Sequence, residues 1–154
     1  MIWETDWTVE ADTEVTGRLL ASVLKPGDVI ALVGDLGAGK TRFVQAVAKA
    51  LGVADEIVHS PTFTLIHEYP ASIPLRHCDA YRLKRPEEFA DLGLDELFGL
   101  DGIAFVEWAD RVADDLPRDV LRIDLSVSGP SSRHAIFTAN GPRSTEIVRQ
   151  LQHA

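Results

Sequence analysis

A strand-length apolar run, VIALV from Val29 to Val33, leads without a break into GDLGAGKT, Gly34 to Thr41. That stretch fits GxxxxGK[ST] with no gap. The residues after it carry Phe43, Val44, Val47, Ala48 and Leu51 at helical spacing, and Gly52 supplies a stop. Strand, glycine-rich loop and helix in that order are the context that gives the motif its meaning. Gly34, Gly37 and Gly39 leave room for a backbone that turns its N–H groups inward, with Asp35, Leu36 and Ala38 completing the cradle. Such N–H groups, together with a helix N-terminus, hold phosphate oxygens. Lys40 is placed to reach the β and γ phosphates, and the Thr41 hydroxyl suits magnesium, a hard cation that prefers oxygen. ATP with magnesium is the expected ligand pair.

A loop of this kind needs a second acid for the metal, usually at the end of an apolar strand. Glu107 ends IAFVE, which reads as a strand buried on both faces. Asp79 ends LRHCD, which is less apolar and expected nearer an edge. Glu107 is therefore assigned to the metal, and Asp79 to orienting or deprotonating the attacking water. The blander alternatives are a helix-capping acid before ADRVADD for Glu107, and an ion pair with Arg82 or Arg76 for Asp79. Ser60 and Thr62 in SPTFTL offer hydroxyls where a mobile γ-phosphate sensor commonly follows the loop helix; an ordinary strand entry is the alternative. His77, Cys78 and Asp79 are adjacent, but neighbours on a strand point to opposite faces, which argues against a transition-metal site. Trp108 could pack over the site or in the core.

The remaining pattern predicts about seven strands and four or five helices. Trp3 to Val9 reads as a strand. Asp12 is a plausible N-cap for a helix with Val15, Leu19, Leu20 and Val23 on its inner face. Thr62–Tyr69 with Leu75–Ala80, and Val120–Val127 with His134–Ala139, read as hairpins. Pro86 to Phe98 looks like one or two short helices, and Ser144 to Leu151 like a closing one. Parallel α/β structure in front and hairpins behind imply an α/β fold of the P-loop NTPase type, with a mixed sheet flanked by helices. The 154 residues suit a single domain over 1–154. With no apolar run of membrane-crossing length, no signal-like N-terminus and one cysteine, the expected location is the cytoplasm and no membrane contact is expected. A net charge of −9 with scattered basic residues disfavours direct binding to nucleic acid.

Taken together, GDLGAGKT, SPTFTL, HCDAYRL and VEW resemble the TsaE (YjeE) P-loop ATPases of bacterial tRNA threonylcarbamoyladenosine biosynthesis, over Thr13 to about Thr138. The resemblance implies a magnesium-dependent ATPase working with two protein subunits of the complex that places threonylcarbamoyl on a tRNA adenosine beside the anticodon. It implies an accessory role, with tRNA met only indirectly. It further implies nucleotide and magnesium binding by Lys40 and Thr41, magnesium binding by Glu107, a need for Asp79 in hydrolysis, and adenine-pocket positions at Thr13 and Arg133. Arg42 stands where family members often have a second hydroxyl residue, and it adds a positive charge beside the phosphates. A Ras-type GTPase is excluded, because its Asn-Lys-x-Asp signature is missing and Asn140 is the sole asparagine. A small-molecule kinase and a non-catalytic nucleotide-dependent adaptor stay open as alternatives.

Overall fold

The computed structural model describes residues 1–54 and 65–154. Seven strands are present among them: β1 (Ile2–Trp7), β2 (Val29–Val33), β3 (Ile66–Tyr69), β4 (Leu75–Asp79), β5 (Ile103–Glu107), β6 (Leu121–Val127) and β7 (Arg133–Ala139). They form one sheet in the order β1-β7-β6-β2-β5-β4-β3. The pairs β6–β2, β2–β5 and β5–β4 are parallel, whereas β1–β7, β7–β6 and β4–β3 are antiparallel. The mixed sheet and both hairpins expected from the sequence are therefore present. Of the stretch expected to open the first hairpin, 62–64 lie outside the described residues, and the strand begins at Ile66.

The apolar runs make sense in this order. A parallel strand in the middle of a sheet is covered on both faces and needs apolar side chains on both. Ile30, Leu32, Ile103 and Phe105 join one core with Leu20, Phe43 and Ile147. Val29, Ala31, Ala104 and Val106 join a second with Phe89, Leu97 and Val112. Strand β1, at the sheet edge, instead alternates exposed and less exposed residues. Strand β4 lies one strand in from the edge, nearer to it than β5, as expected; it is nevertheless buried at every position, so LRHCD carries polar groups into the interior. His77 and Asp79 share one side of it, and Cys78 turns to the second core, where burial pushes its thiol up to about 12.

The helices α1 (Glu10–Val23), α2 (Lys40–Ala50), α3 (Leu94–Leu97) and α4 (Pro142–Gln152) surround the sheet, with 3₁₀ turns at Ala80–Arg82, Pro86–Leu92 and Ala109–Asp115. Among the described residues, no helix is long and apolar enough to cross a membrane. Helix α2 ends as expected: Gly52 N–H donates to Lys49 O at 3.1 Å and Val53 N–H to Ala48 O at 3.0 Å. Helix α4 is capped by Asp119, whose carboxylate accepts from the N–H groups of Arg143 (2.7 Å) and Ser144 (2.9 Å).

Helix α1 departs from the expectation in two ways. Val9 is its N-cap, and Asp12 sits one turn in, accepting from Thr8 N–H, Thr8 hydroxyl and Val9 N–H at 2.8, 3.0 and 3.2 Å. Those bonds, Val9 first, hold its carboxyl below the usual range. The buried face is Thr13, Thr16, Gly17, Leu20 and Ala21, while Val15 is 44% exposed. Small residues line that face because α1 packs tightly on α2: a Cβ on Gly17 would lie 2.6 Å from Ala46 Cβ.

Gly17→Val should therefore lower stability by about 1–3 kcal/mol, the usual cost of overpacking, read from urea unfolding; an unchanged midpoint would contradict the close approach. At the sheet edge, His134 Nδ1 meets Asp6 at 2.7 Å and Nε2 meets Glu4 at 3.1 Å. Asp6 first, then Glu4, raises the imidazole pKa above 6.5. This clamp between β1 and β7 is fully present below the unfolded value and is lost as pH rises through the higher native one. NMR titration of the His134 ring should give a midpoint above 6.5, and Asp6→Asn should lower it.

Candidate functional site

Strand β2 ends beside β5, and β5 beside β4, so the C-terminal ends of three parallel strands meet at one place. Asp79 and Glu107 are cross-strand partners there, 4% and 3% exposed. The loop after β2 curls over them. Gly39 has φ 103°, a left-handed conformation that a side chain would strain, and it turns the chain into α2. The first bond of that helix runs from Phe43 N–H to Gly39 O, 2.9 Å. The N–H groups of Lys40, Thr41 and Arg42 come before it and are the orphan donors of the helix start.

Lys40 is 5% exposed. Its ammonium donates to Gly34 O at 2.6 Å and Asp35 O at 2.9 Å, and stands 4.2 Å from the Trp108 ring centre. Burial lowers its pKa, against the pull of Glu107, Asp79, Asp35 and Asp110. Trp108 has φ 56°, alone among the described non-glycine residues in being positive. That conformation costs about 1–3 kcal/mol; here it sets the indole against Lys40 and 4.8 Å from the Tyr81 ring.

The Thr41 hydroxyl lies 2.9 and 2.8 Å from the two Glu107 carboxylate oxygens. His77 Nε2 meets the same carboxylate from β4. Asp79 Oδ1 accepts from Tyr81 N–H at 3.0 Å, and its Oδ2 lies 3.8 Å from Arg82 Nε. Of the two ion-pair partners considered for Asp79, Arg82 is beside it; Arg76 is paired with Asp101 and Glu68. Arg42 turns to Glu14 on α1, 3.0 Å away. Arg133 braces the loop: it donates to Ala38 O (3.2 Å) and Gly37 O (3.4 Å), and to Ser132 O (2.9 Å) on the β6–β7 turn. Ser60 and Thr62 lie outside the described residues.

A cavity of about 600 Å³ opens over these groups, bounded by Leu36 to Arg42, Thr13, Asp79, Glu107 and Arg133. Trp7, Glu10 and Tyr81 also line it, and the sequence reading did not single them out. The sequence points to His77 only as a candidate metal ligand. The period of two along β4, which puts His77 and Asp79 on one side, was the signal for its contact with the neighbouring acid. The donor set fits a nucleotide with a hard cation: orphan N–H groups and a lysine face phosphate chemistry, and two buried carboxylates with a hydroxyl offer oxygen ligands.

The strand order, the loop between β2 and α2, and the buried acid on the neighbouring parallel strand define a P-loop NTPase fold. The family model for the threonylcarbamoyl adenosine biosynthesis protein TsaE matches residues 7–135. The tRNA threonylcarbamoyladenosine biosynthesis protein TsaE of Bacillus subtilis is 44% identical over 141 residues, 91% of this chain and 87% of that protein. The protein of the same name from Treponema pallidum is 41% identical over 122 residues, covering 79% and 90%. The crystal structure of Bacillus subtilis YdiB superposes with a TM-score of 0.80 at 36% identity, covering 99% of this chain and 97% of that one. The chain belongs to the TsaE family.

Thr41→Val keeps the shape of the side chain and removes the hydroxyl that meets both Glu107 oxygens. A buried carboxylate that loses a donor costs about 1–3 kcal/mol. Urea unfolding should show that loss, and equal stability would mean that the contact carries no energy.

Proposed function

We propose that the protein is a magnesium-dependent ATPase that supports the complex installing threonylcarbamoyl on a tRNA adenosine, without performing that transfer itself. The observation that carries the ATPase reading is the meeting of Thr41 and Glu107. Residues far apart in sequence bring a hydroxyl and a carboxylate to one point under the loop, 2.9 and 2.8 Å apart. The pathway reading rests on the names of the relatives. In this reading two protein subunits of that complex are the partners, and tRNA is met through them. The net charge of −9 suits such an indirect role.

The roles follow from position. The loop amides and Lys40 bind the phosphates. Thr41 and Glu107 would hold magnesium, which would supply positive charge to the phosphate oxygens. Asp79 orients the attacking water and accepts its proton as that water adds to the terminal phosphorus and the bond to the bridging oxygen breaks. Arg133 and Thr13 border the nucleotide, Arg133 by holding the loop in shape.

Lys40→Ala should abolish or greatly weaken ATP binding in calorimetry, since a charge-assisted phosphate contact is lost; unchanged affinity would sink the assignment. Glu107→Gln should raise the magnesium needed for nucleotide binding. Asp79→Asn should keep that binding and slow hydrolysis on the order of 10²–10⁴-fold, assayed with the partner subunits present. The reverse pattern would exchange the two roles. Full turnover by Asp79→Asn would leave the Arg82 ion pair as the account of that residue.

A further inference from the structure

The acid assigned to the metal is itself held from behind. Glu107 is 3% exposed and His77 is fully buried, and their contact joins β5 to β4 inside the sheet. On the other side of the imidazole, Nδ1 lies 3.3 Å from the hydroxyl of Tyr69 on β3, a residue 3% exposed. A carboxylate only accepts, so Nε2 carries the proton that faces Glu107; the tyrosine hydroxyl braces the other side of the ring and also lies 3.5 Å from His67 Nδ1. A hydrogen-bonded line thus runs Tyr69, His77, Glu107, Thr41 across three strands to the first turn of α2.

We propose that His77 is a positioning residue for Glu107: with Tyr69 bracing its ring, it sets the carboxylate orientation in which the acid and Thr41 receive the cation. The inference rests on the reading that Glu107 holds magnesium. Thr41 approaches both carboxylate oxygens and so does not choose between them. His77 touches Oε2 alone, so it is the contact that makes the two oxygens unequal. A buried donor behind a ligating group is the arrangement by which outer partners orient ligands, and its loss typically costs about 10–100-fold in metal affinity.

The test is the magnesium dependence of ADP binding by calorimetry, which needs no turnover. His77→Leu should raise the half-saturating magnesium concentration about 10–100-fold and leave magnesium-free ADP binding as in the wild type. His77→Gln carries an amide N–H at the reach of Nε2 and should restore most of the affinity. Tyr69→Phe should produce a smaller rise in the wild-type background and none in the His77→Leu background, because it acts through the imidazole. A merely structural role for His77 would not give this pattern of rescue and non-additivity. Wild-type magnesium dependence in His77→Leu, failure of His77→Gln to rescue, or an additive Tyr69→Phe effect would each overturn the proposal. If His77→Leu does not fold, Tyr69→Phe in the wild-type background decides: a rise supports the proposal and no rise overturns it. Glu107→Gln, measured alongside, separates the two levels. If it shifts the magnesium dependence and His77→Leu does not, this inference fails alone; if Glu107→Gln itself shifts nothing, the metal reading fails and takes this inference with it.

Discussion

The parallel pairing of β2 with β5 is the constraint on which the site depends. Its register sets Leu32 opposite Glu107, while β5 in turn sets Glu107 opposite Asp79. Because parallel strands run the same way, their C-terminal ends gather, and the loop leaving β2 arrives over acids that come from elsewhere in the chain. A one-residue slip of β5 would turn Glu107 to the other face and bring Val106 into its place. Side-chain size opposes such a slip, because the larger Ile103 and Phe105 fill the first core and the smaller Ala104 and Val106 the second.

Electrostatics at the strand ends is balanced within the same few residues. Asp79 and Glu107 are buried neighbouring carboxyl groups, and the ammonium of Lys40, itself buried, lies within the Coulombic reach of both. Each would be costly alone. Lys40 is held by two carbonyls and an indole, Glu107 by a hydroxyl and an imidazole, and Asp79 by a backbone N–H with Arg82 beyond. The site is thus a set of charges, each held in place by neutral groups around it. The left-handed turn at Trp108 is the backbone deformation that completes it.

Much of this was legible in the sequence because it is local. VIALV and IAFVE are long enough and apolar enough to read as central strands, and the glycine-rich loop declares its own geometry. Two things were not legible. On α1, Leu19, Leu20 and Val23 pack on the core as their spacing predicts, but the close contact with α2 was not legible, because it is set by the absence of a side chain at Gly17, which hydrophobic periodicity cannot register. The full burial of β4 was not, because its polar residues look solvent-facing until their partners are known: Arg76 is paired with Asp101, and His77 lies against Glu107. Both partners lie more than twenty residues away in the chain. Long-range pairing of buried polar groups leaves no periodic trace, and Tyr69, His77 and Glu107 became one unit only when three strands were laid side by side.

Cys78 offers a practical consequence of this depth. It is the sole cysteine, fully buried, with its thiol raised to about 12. Thiolate is the form that reacts with oxidants and alkylating agents, and burial of Cys78 both disfavours that form and closes the sulfur off from reagents, although it stands next to Asp79 in sequence. A cysteine introduced at Leu36, which is 78% exposed on the rim of the loop, would carry a fluorophore or spin label as the only reactive thiol, with no need to remove the native one.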